Sequence, residues 1–300
     1  MTTVLQATPV VTPPERRRPF PAKRRIGRIV LNVVVFLFCV GWFTPIAQLL
    51  AAALRTSPDT AASGWWQIFT HPLLTVENFS DATQIMDLGT TIPATLAFTI
   101  PAVVLTVLLS AYGGYALARW RFKGSWVVYS LLVALLVVPP QVTLAPLVQL
   151  FRDFGLIGNP ATVWIWETGF TLPFGVFLLR GYMASLPEEL FEAARMDGAS
   201  EFRVFFTVAL PLCVPILASL GILQFMWTWN DLLVPLTFIG ATSSSAPVTL
   251  QLSNLVQAQS GGAINILSAG SLIAIAIPLL VIVSLQRYFV AGITGGAVKG

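Results

Sequence analysis

The sequence predicts an all-α polytopic membrane protein, with six transmembrane helices and a charged helix–glycine–helix segment between the fourth and the fifth. Three observations carry this. Hydrophobic residues are 56% of the 300-residue chain and charged residues only 10%, against about 25% charged in a soluble domain. Six stretches (28–54, 92–118, 126–150, 160–180, 211–236 and 267–288) are apolar over roughly the 20 residues a bilayer crossing needs. Fifteen of the 17 Lys and Arg residues lie in alternate connections, and only Arg55 and Arg152 lie in the others. The positive-inside rule then places both termini and segment 181–210 in the cytoplasm.

These figures exclude a disordered chain, a disulfide scaffold and an ordinary soluble enzyme. Cys39 and Cys213 each sit in an apolar run, so no disulfide framework is expected. A single His71 and no clustered thiols give no metal centre. The net charge of +4 is spread over short connections, which is not a nucleic-acid-binding pattern.

Residues 1–27 are basic and Pro-rich and read as a flexible cytoplasmic tail. Arg17-Arg18-Pro19-Phe20 is faintly similar to a twin-arginine signal. The apolar run that follows exceeds the 7–15 residues or so of a signal core, so an uncleaved first span is expected. Residues 28–90 comprise that span and an outer loop with Asp59, Glu77, Asp81 and Asp87. Trp65, Trp66, Ile68 and Phe69 suggest a short interfacial helix there, with His71 on the surface.

Residues 91–300 form the core. Only Arg119–Ser125 separates the second and third spans, so a tight helical hairpin is expected. Prolines at 45, 101, 139, 140, 173, 215, 235 and 278 predict bends. Irregular backbone inside a bilayer is tolerated against protein or a water-filled cavity. Pro139-Pro140 followed by Gln141, Val142 and Thr143 is the best candidate for a gated pathway. Glu167 interrupts the fourth span between Trp166 and Thr168, and Asp231 lies in the fifth. Acids in spans are costly and usually face the bundle interior or water. Gln224, Trp227 or Thr228, and Asp231 recur at helical spacing, with Asn230 adjacent. An aromatic ring beside amide and carboxylate groups suits a sugar, which has an apolar face and many hydroxyls. Glu167 reads as a substrate contact or as a polar bond to a partner subunit. Residues 240–263 are polar and read as an exposed loop.

Segment 181–210 carries Glu188, Glu189, Glu192, Asp197 and Glu201, so it cannot span a bilayer. Ser185 through Glu188 reads as a capping box. Gly198 is placed to end the helix in the left-handed conformation, and Ser200 to cap a second one. Leu190, Phe191, Met196, Phe202, Phe205 and Phe206 sit among these charges. They point either to a partner or to packing against the chain's own bundle.

Glu192-Ala193-Ala194, three residues, Gly198, nine residues, Val208, one residue and Leu210-Pro211 resemble the EAA signature of ABC-importer permeases, departing only in Val208 for Ile. Leu186-Pro187-Glu188-Glu189 and Trp229-Asn230-Asp231 resemble the carbohydrate-uptake branch. The ending, 291–300, resembles the tail of maltose-type second permease subunits. The resemblance covers roughly 90–300. It implies a coupling helix docked in a groove of a cytoplasmic ATPase, with Glu192, Ala193, Ala194, Asp197 and Gly198 as coupling positions. It also implies that the tail, with Gly295, Gly296 and Lys299, meets the ATPase dimer. The substrate-pathway candidates are Gln141, Glu167, Gln224, Trp227, Asn230 and Asp231. The further partners implied are a second homologous permease, an external substrate-binding protein and a carbohydrate. ATP and Mg would sit on the partner ATPase and no cofactor on this chain, which has no G-x4-G-K-[ST] loop. The expected location is a bacterial cytoplasmic membrane.

Two alternatives stay open at this point. The same importer type could carry glycerol phosphate or a polyol, although no Lys or Arg within a span offers itself to a phosphate. A proton-coupled secondary transporter would use Glu167 and Asp231 as a relay, but it needs no ATPase dock. A membrane enzyme finds no nucleophile–base pair and no H-E-x-x-H here.

Overall fold

The structure, a computed structural model, describes residues 22–71, 73–120, 122–240, 246–258 and 264–297. It is helical, with one isolated antiparallel bridge between Arg55 and Leu74 among the described residues. Helix α1 runs over Ala22–Ala53. The connection between α1 and the next long helix is more ordered than a loop. It holds α2 (Ser57–Ala62), a 3-10 turn at Trp65–Phe69 where the interfacial helix is expected, and α3 (Glu77–Ile85). Then come α4 (Leu88–Arg119), α5 (Ser125–Leu135), a 3-10 turn at Pro140–Thr143, α6 (Leu144–Asp153) and α7 (Ala161–Ala184). The charged segment is α8 (Glu188–Met196), α9 (Glu201–Val204), a π turn at Phe205–Ala209 and α10 (Leu210–Leu212). The chain closes with α11 (Val214–Asn230), α12 (Leu233–Phe238), α13 (Val248–Ala258) and α14 (Ile264–Ala297).

Among the described residues, four helices alone are long and apolar enough to cross a membrane, or six if each of two bent pairs is one span. The pairs are Ser125–Leu135 with Pro140–Asp153, bent by 99°, and Glu201–Leu212 with Val214–Asn230, bent by 78°. The third span is therefore broken, at Pro139-Pro140. Pro45, Pro101, Pro173 and Pro278 stay inside continuous helices. A lone proline deletes one hydrogen bond, whereas a tandem pair removes two and constrains the residue before each. Pro211 has no N–H for the Thr207 carbonyl, and the widened turn over Phe205–Ala209 adjoins it.

Two units, Met1–Gln48 and Leu49–Gly300, divide the chain. In the first, Phe38 stacks on Trp42 at 5.9 Å and the Thr44 hydroxyl donates to the Val40 carbonyl. In the second, α4 packs on α7 and α11, and α11 packs on α14. The α4–α7 seam is close because its residues are small. A Cβ on Gly114 would meet Leu179 Cβ and Arg180 N at 2.9 Å, and one on Gly175 would collide with Ser110.

Three expectations are corrected here. The second and third spans do not form a hairpin: α5 leaves α4 and packs on α7, with Tyr129 stacked on Phe177. Nor is 240–263 an exposed loop throughout. Within it, α13 buries Val248, Leu250 and Leu255, and the Val248 N–H donates to Thr95 Oγ1 at 2.9 Å. Its polar residues mask a helix whose apolar positions face the core. The Ser185–Glu188 capping box does not form either. Ser185 Oγ donates to the Tyr182 carbonyl, and Glu188 turns to Arg119. A guanidinium outcompetes a backbone amide for that carboxylate.

Candidate functional site

Helices α7 and α11 build a cavity of about 480 Å3 with the break at Pro140 and the turn after Asn230. Trp166, Glu167, Phe170 and Thr171 come from α7, Met226, Trp227 and Asn230 from α11, and Leu233 and Val234 from α12. Pro140, Gln141 and Leu144 close one side, and Asp231 stands between α11 and α12. Trp166 stacks on Phe170 at 5.3 Å, and its Nε1 donates to Thr143 Oγ1 at 3.1 Å. That bond ties α7 to the broken span. The Trp227 ring meets the Phe174 ring edge-on at 5.5 Å and is half exposed.

Glu167 is 4% exposed. Its Oε2 accepts from Gln224 Nε2 at 3.2 Å, and the same amide donates to Thr228 Oγ1 at 2.9 Å. Glu167 Oε1 and Gln224 Oε1 are buried with no hydrogen-bond partner among the described residues. The cavity thus presents two carboxylates, two amides and three aromatic rings, with no Lys or Arg among its lining residues.

Five of the six expected pathway residues, Gln141, Glu167, Trp227, Asn230 and Asp231, line this cavity. The sixth, Gln224, is buried behind Glu167 and orients it. Asp231 does not lie within the α11 helix, as its spacing from Gln224 suggested. It follows the last turn, and its Oδ1 accepts the Leu233 and Val234 N–H groups, capping α12. Trp229 is buried, stacks on Phe225 and donates to the Ala274 carbonyl. Asn230 Nδ2 donates back to the Met226 carbonyl. The Trp-Asn-Asp run thus fastens α11 to α14 and turns the chain, while its two polar members also face the cavity. Trp166, Phe170, Thr171 and Met226 were not singled out in the sequence. They carry no signal distinct from ordinary apolar helix positions until α7 and α11 are placed together.

At the other end of the second unit, α8 and α9 sit on the last turns of α4 and α7. Phe191, Val204 and Phe205 are buried with Tyr115, Leu179 and Met183. Met196 is 87% exposed, and Leu190, Phe202 and Phe206 are exposed too. Packing on the chain's own bundle and an uncovered face are therefore both present, on opposite sides of one segment. Glu192, Ala193, Asp197 and Gly198 are exposed and Ala194 is half-buried. Gly198 has φ of 79°, the left-handed corner expected. Ser200 Oγ accepts the Arg203 N–H, as a cap does. Gly295 and Gly296 fall in the last turns of the α14 backbone, and Lys299 lies outside the described residues.

A polar cluster missed in the sequence fixes this segment. The Arg119 side chain is 3% exposed and its Nη1 lies 2.6 Å from Glu188 Oε2. Its Nη2 donates to the Met183 and Leu186 carbonyls at 2.6 and 2.9 Å, and the guanidinium lies 3.9 Å from the centre of the Phe191 ring. Glu201 accepts from Tyr115 Oη at 2.7 Å, Trp120 Nε1 at 3.2 Å and Arg195 Nε at 2.8 Å. The hydrogen bond to Glu201 raises the Arg195 pKa above its ordinary value, so that partner stays charged. Tyr115 and Arg119, four apart at the end of an apolar run, were the available signal.

A broken-helix bundle, a cavity of apolar rings with a few polar groups and a half-uncovered charged segment are features of an integral-membrane transport component. The chain belongs to the binding-protein-dependent transport system inner membrane components, the family whose model matches residues 110–295. It is a multi-pass permease subunit of an ABC transporter. It is 38% identical over 276 residues to an osmoprotective compounds uptake permease of Synechocystis sp., covering 91% of this chain and 92% of that one. It is 42% identical over 236 residues to an alpha-glucoside transport system permease of Rhizobium meliloti, covering 77% of this chain and 62% of that longer one. The fold matches, with a TM-score of 0.73 and 22% identity, a chain of a bacterial ABC transporter that imports the acidic polysaccharide alginate. That match covers 93% of this chain and 100% of the other.

Proposed function

We propose that this chain is one of two membrane-spanning subunits of an ATP-driven importer for a sugar or oligosaccharide, and that it converts closure of a cytoplasmic ATPase pair into alternating access. The observation that carries this is the uncovered face of α8. Glu192, Ala193 and Met196 stand clear of the bundle while Phe191, one residue away, anchors the same helix into it. A helix fastened on one side and bare on the other is suited to dock into another chain. Glu192, Ala193, Ala194, Asp197 and Gly198 are the proposed docking positions, with Gly295, Gly296 and Lys299 as a second contact. The ATPase binds ATP and Mg, and this chain supplies no catalytic residue.

The cavity supports the carbohydrate reading. Stacked aromatic rings suit the apolar face of a pyranose, and the Gln141, Asn230, Glu167 and Asp231 side chains suit its hydroxyls. Gln224 acts through Glu167. One relative carries a name for alpha-glucoside transport, in keeping with a sugar cargo. A lining with two carboxylates and no cation disfavours a phosphate ester.

The second permease supplies the facing wall, and an external binding protein delivers the ligand. Residues 1–27 form the basic tail, 28–90 the first span and outer connection, and 91–300 the permease core. Both termini lie in the cytoplasm, by the distribution of Lys and Arg. The test is to extract the tagged chain from its own cells in mild detergent and identify what copurifies. A Walker-type ATPase and a second permease are expected with the unmodified chain. The ATPase should be lost when Glu192 and Gly198 are replaced. A chain that runs alone under every extraction condition refutes the proposal.

A further inference from the structure

We infer that Arg119 and Glu201 are positioning residues that transmit movement of α8 and α9 to the transport cavity, by clamping both helices to the end of α4. This rests on the importer reading above. The two residues divide the work. Arg119 grips the start of α8 through Glu188 and Phe191, and also holds the end of α7 through the Met183 and Leu186 carbonyls. Glu201, opening α9, is gripped by Tyr115 and Trp120 from the end of α4, and by Arg195 from α8. The short α8 and α9 are thus tied to each other and to α4 by charge-assisted bonds.

Helix α4 is a suitable strut. It is continuous from Leu88 to Arg119 and packs closely on α7 along the Gly114 seam. It also packs on α11. Helices α7 and α11 are the two that line most of the cavity. A displacement of α8 therefore passes to α4 and α7 at their ends and reaches the cavity through two continuous helices. A segment held only by its apolar side chains could slide, because dispersion contacts are non-directional. The charge-assisted bonds resist that sliding. The Arg119 guanidinium is buried, so water does not readily substitute for the partners it would lose.

The experiment uses the assembled importer, this chain with its second permease and ATPase, in lipid nanodiscs. In a background with Cys39 and Cys213 replaced by Ala, Met226→Cys places a thiol in the cavity wall. Its labelling rate by a membrane-impermeant maleimide is compared without nucleotide and with ATP and vanadate. The unmodified clamp should give a ratio of about tenfold, within the usual range of coupling between sites. Arg119→Lys keeps the charge but cannot hold two carbonyls, a carboxylate and a ring together, and Glu201→Gln loses the ion pair with Arg195. Each should still capture and hydrolyse with the ATPase, with the ratio reduced to less than about twofold. Tyr115→Phe, which removes a single donor, should fall between and covers the case in which the stronger variants do not assemble. Asn78→Ser, which cuts the buried bonds to Ala53 and Arg55 at the far end, should keep the full ratio. Full ratios in the Arg119, Glu201 and Tyr115 variants would overturn the inference, as would loss of ATPase capture in all three, which would make the cluster a docking element only. Absence of the ATPase from the unmodified complex would instead refute the importer reading itself.

Discussion

Replacing Gln224 by Leu removes the amide that donates to Glu167 Oε2 at 3.2 Å and leaves the chain's volume there nearly unchanged. Three numbers bound the effect. A typical intramolecular hydrogen bond contributes about 0.5–1.5 kcal/mol net in soluble proteins. In membrane helices, measured pairs average about 0.6 and reach about 1.7 kcal/mol, because the unfolded chain also finds partners. A 3.2 Å donor distance is at the long end of good geometry. The expected coupling is therefore about 1 kcal/mol. The asymmetry matters more than the size, since removing one partner strands the other, whereas removing both does not. Gln224→Leu should lower stability by about 1–2 kcal/mol, and the loss in the double variant with Glu167→Leu should fall short of the sum of the two single losses by about 1 kcal/mol. The assay is denaturant unfolding of the assembled complex in mixed micelles, run on all four members of the cycle. Additivity to within about 0.3–0.5 kcal/mol refutes the pairing. The double variant also separates structure from function. It should fold normally and still import poorly, because Glu167 lines the cavity. Normal uptake by the double variant would take Glu167 out of the pathway.

Gly114→Val should break the α4–α7 seam, since even a Cβ there meets Leu179 and Arg180 at 2.9 Å. Overpacking of this kind costs about 1–3 kcal/mol, read as a lower midpoint in the same unfolding assay, and an unchanged midpoint would mean the helices do not approach so closely. Gly198→Ala adds a Cβ with nothing within 4 Å of it, so only the positive φ of 79° is strained, at about 1–2 kcal/mol. ATPase capture by titrated pull-down should weaken by roughly tenfold alongside that loss of about 1–2 kcal/mol in unfolding stability, and equal capture would show that the corner is not needed for docking. Trp227→Ala should raise the half-saturating sugar concentration for uptake by roughly 2- to 13-fold, the equivalent of about 0.5–1.5 kcal/mol for a lost aromatic contact, with maximal ATP hydrolysis retained. An unchanged value would remove this ring from the sugar path.

The chain's apolar runs are an averaged property of about 20 residues, and that is why they were legible without a fold. The alternation of Lys and Arg with those runs is equally one-dimensional. So is the corner at Gly198, because its left-handed backbone is a local demand met by one residue type. The signature around Glu192 was readable for the same reason, being a spacing along one short segment. What the chain does in three dimensions was not local. Pro139 and Pro140 predicted a bend, but its size of 99° and the packing of α5 on α7 were not readable along the chain. Asp231 looked like one more group on a helical face, yet the helix stops at Asn230 and the carboxylate caps the next one. Gln224 and Glu167 are 57 residues apart, and no pattern along the chain announces that an amide in one span will orient an acid in another. Glu188 and Ser185 satisfied a local capping rule, but a guanidinium from 69 residues away took the carboxylate. The sequence by itself therefore determined the class of protein, the number of apolar runs and the corner of the exposed segment. Only the tertiary structure decided which of its few polar groups meet, because in a chain this apolar each buried polar atom must find its partner across helices.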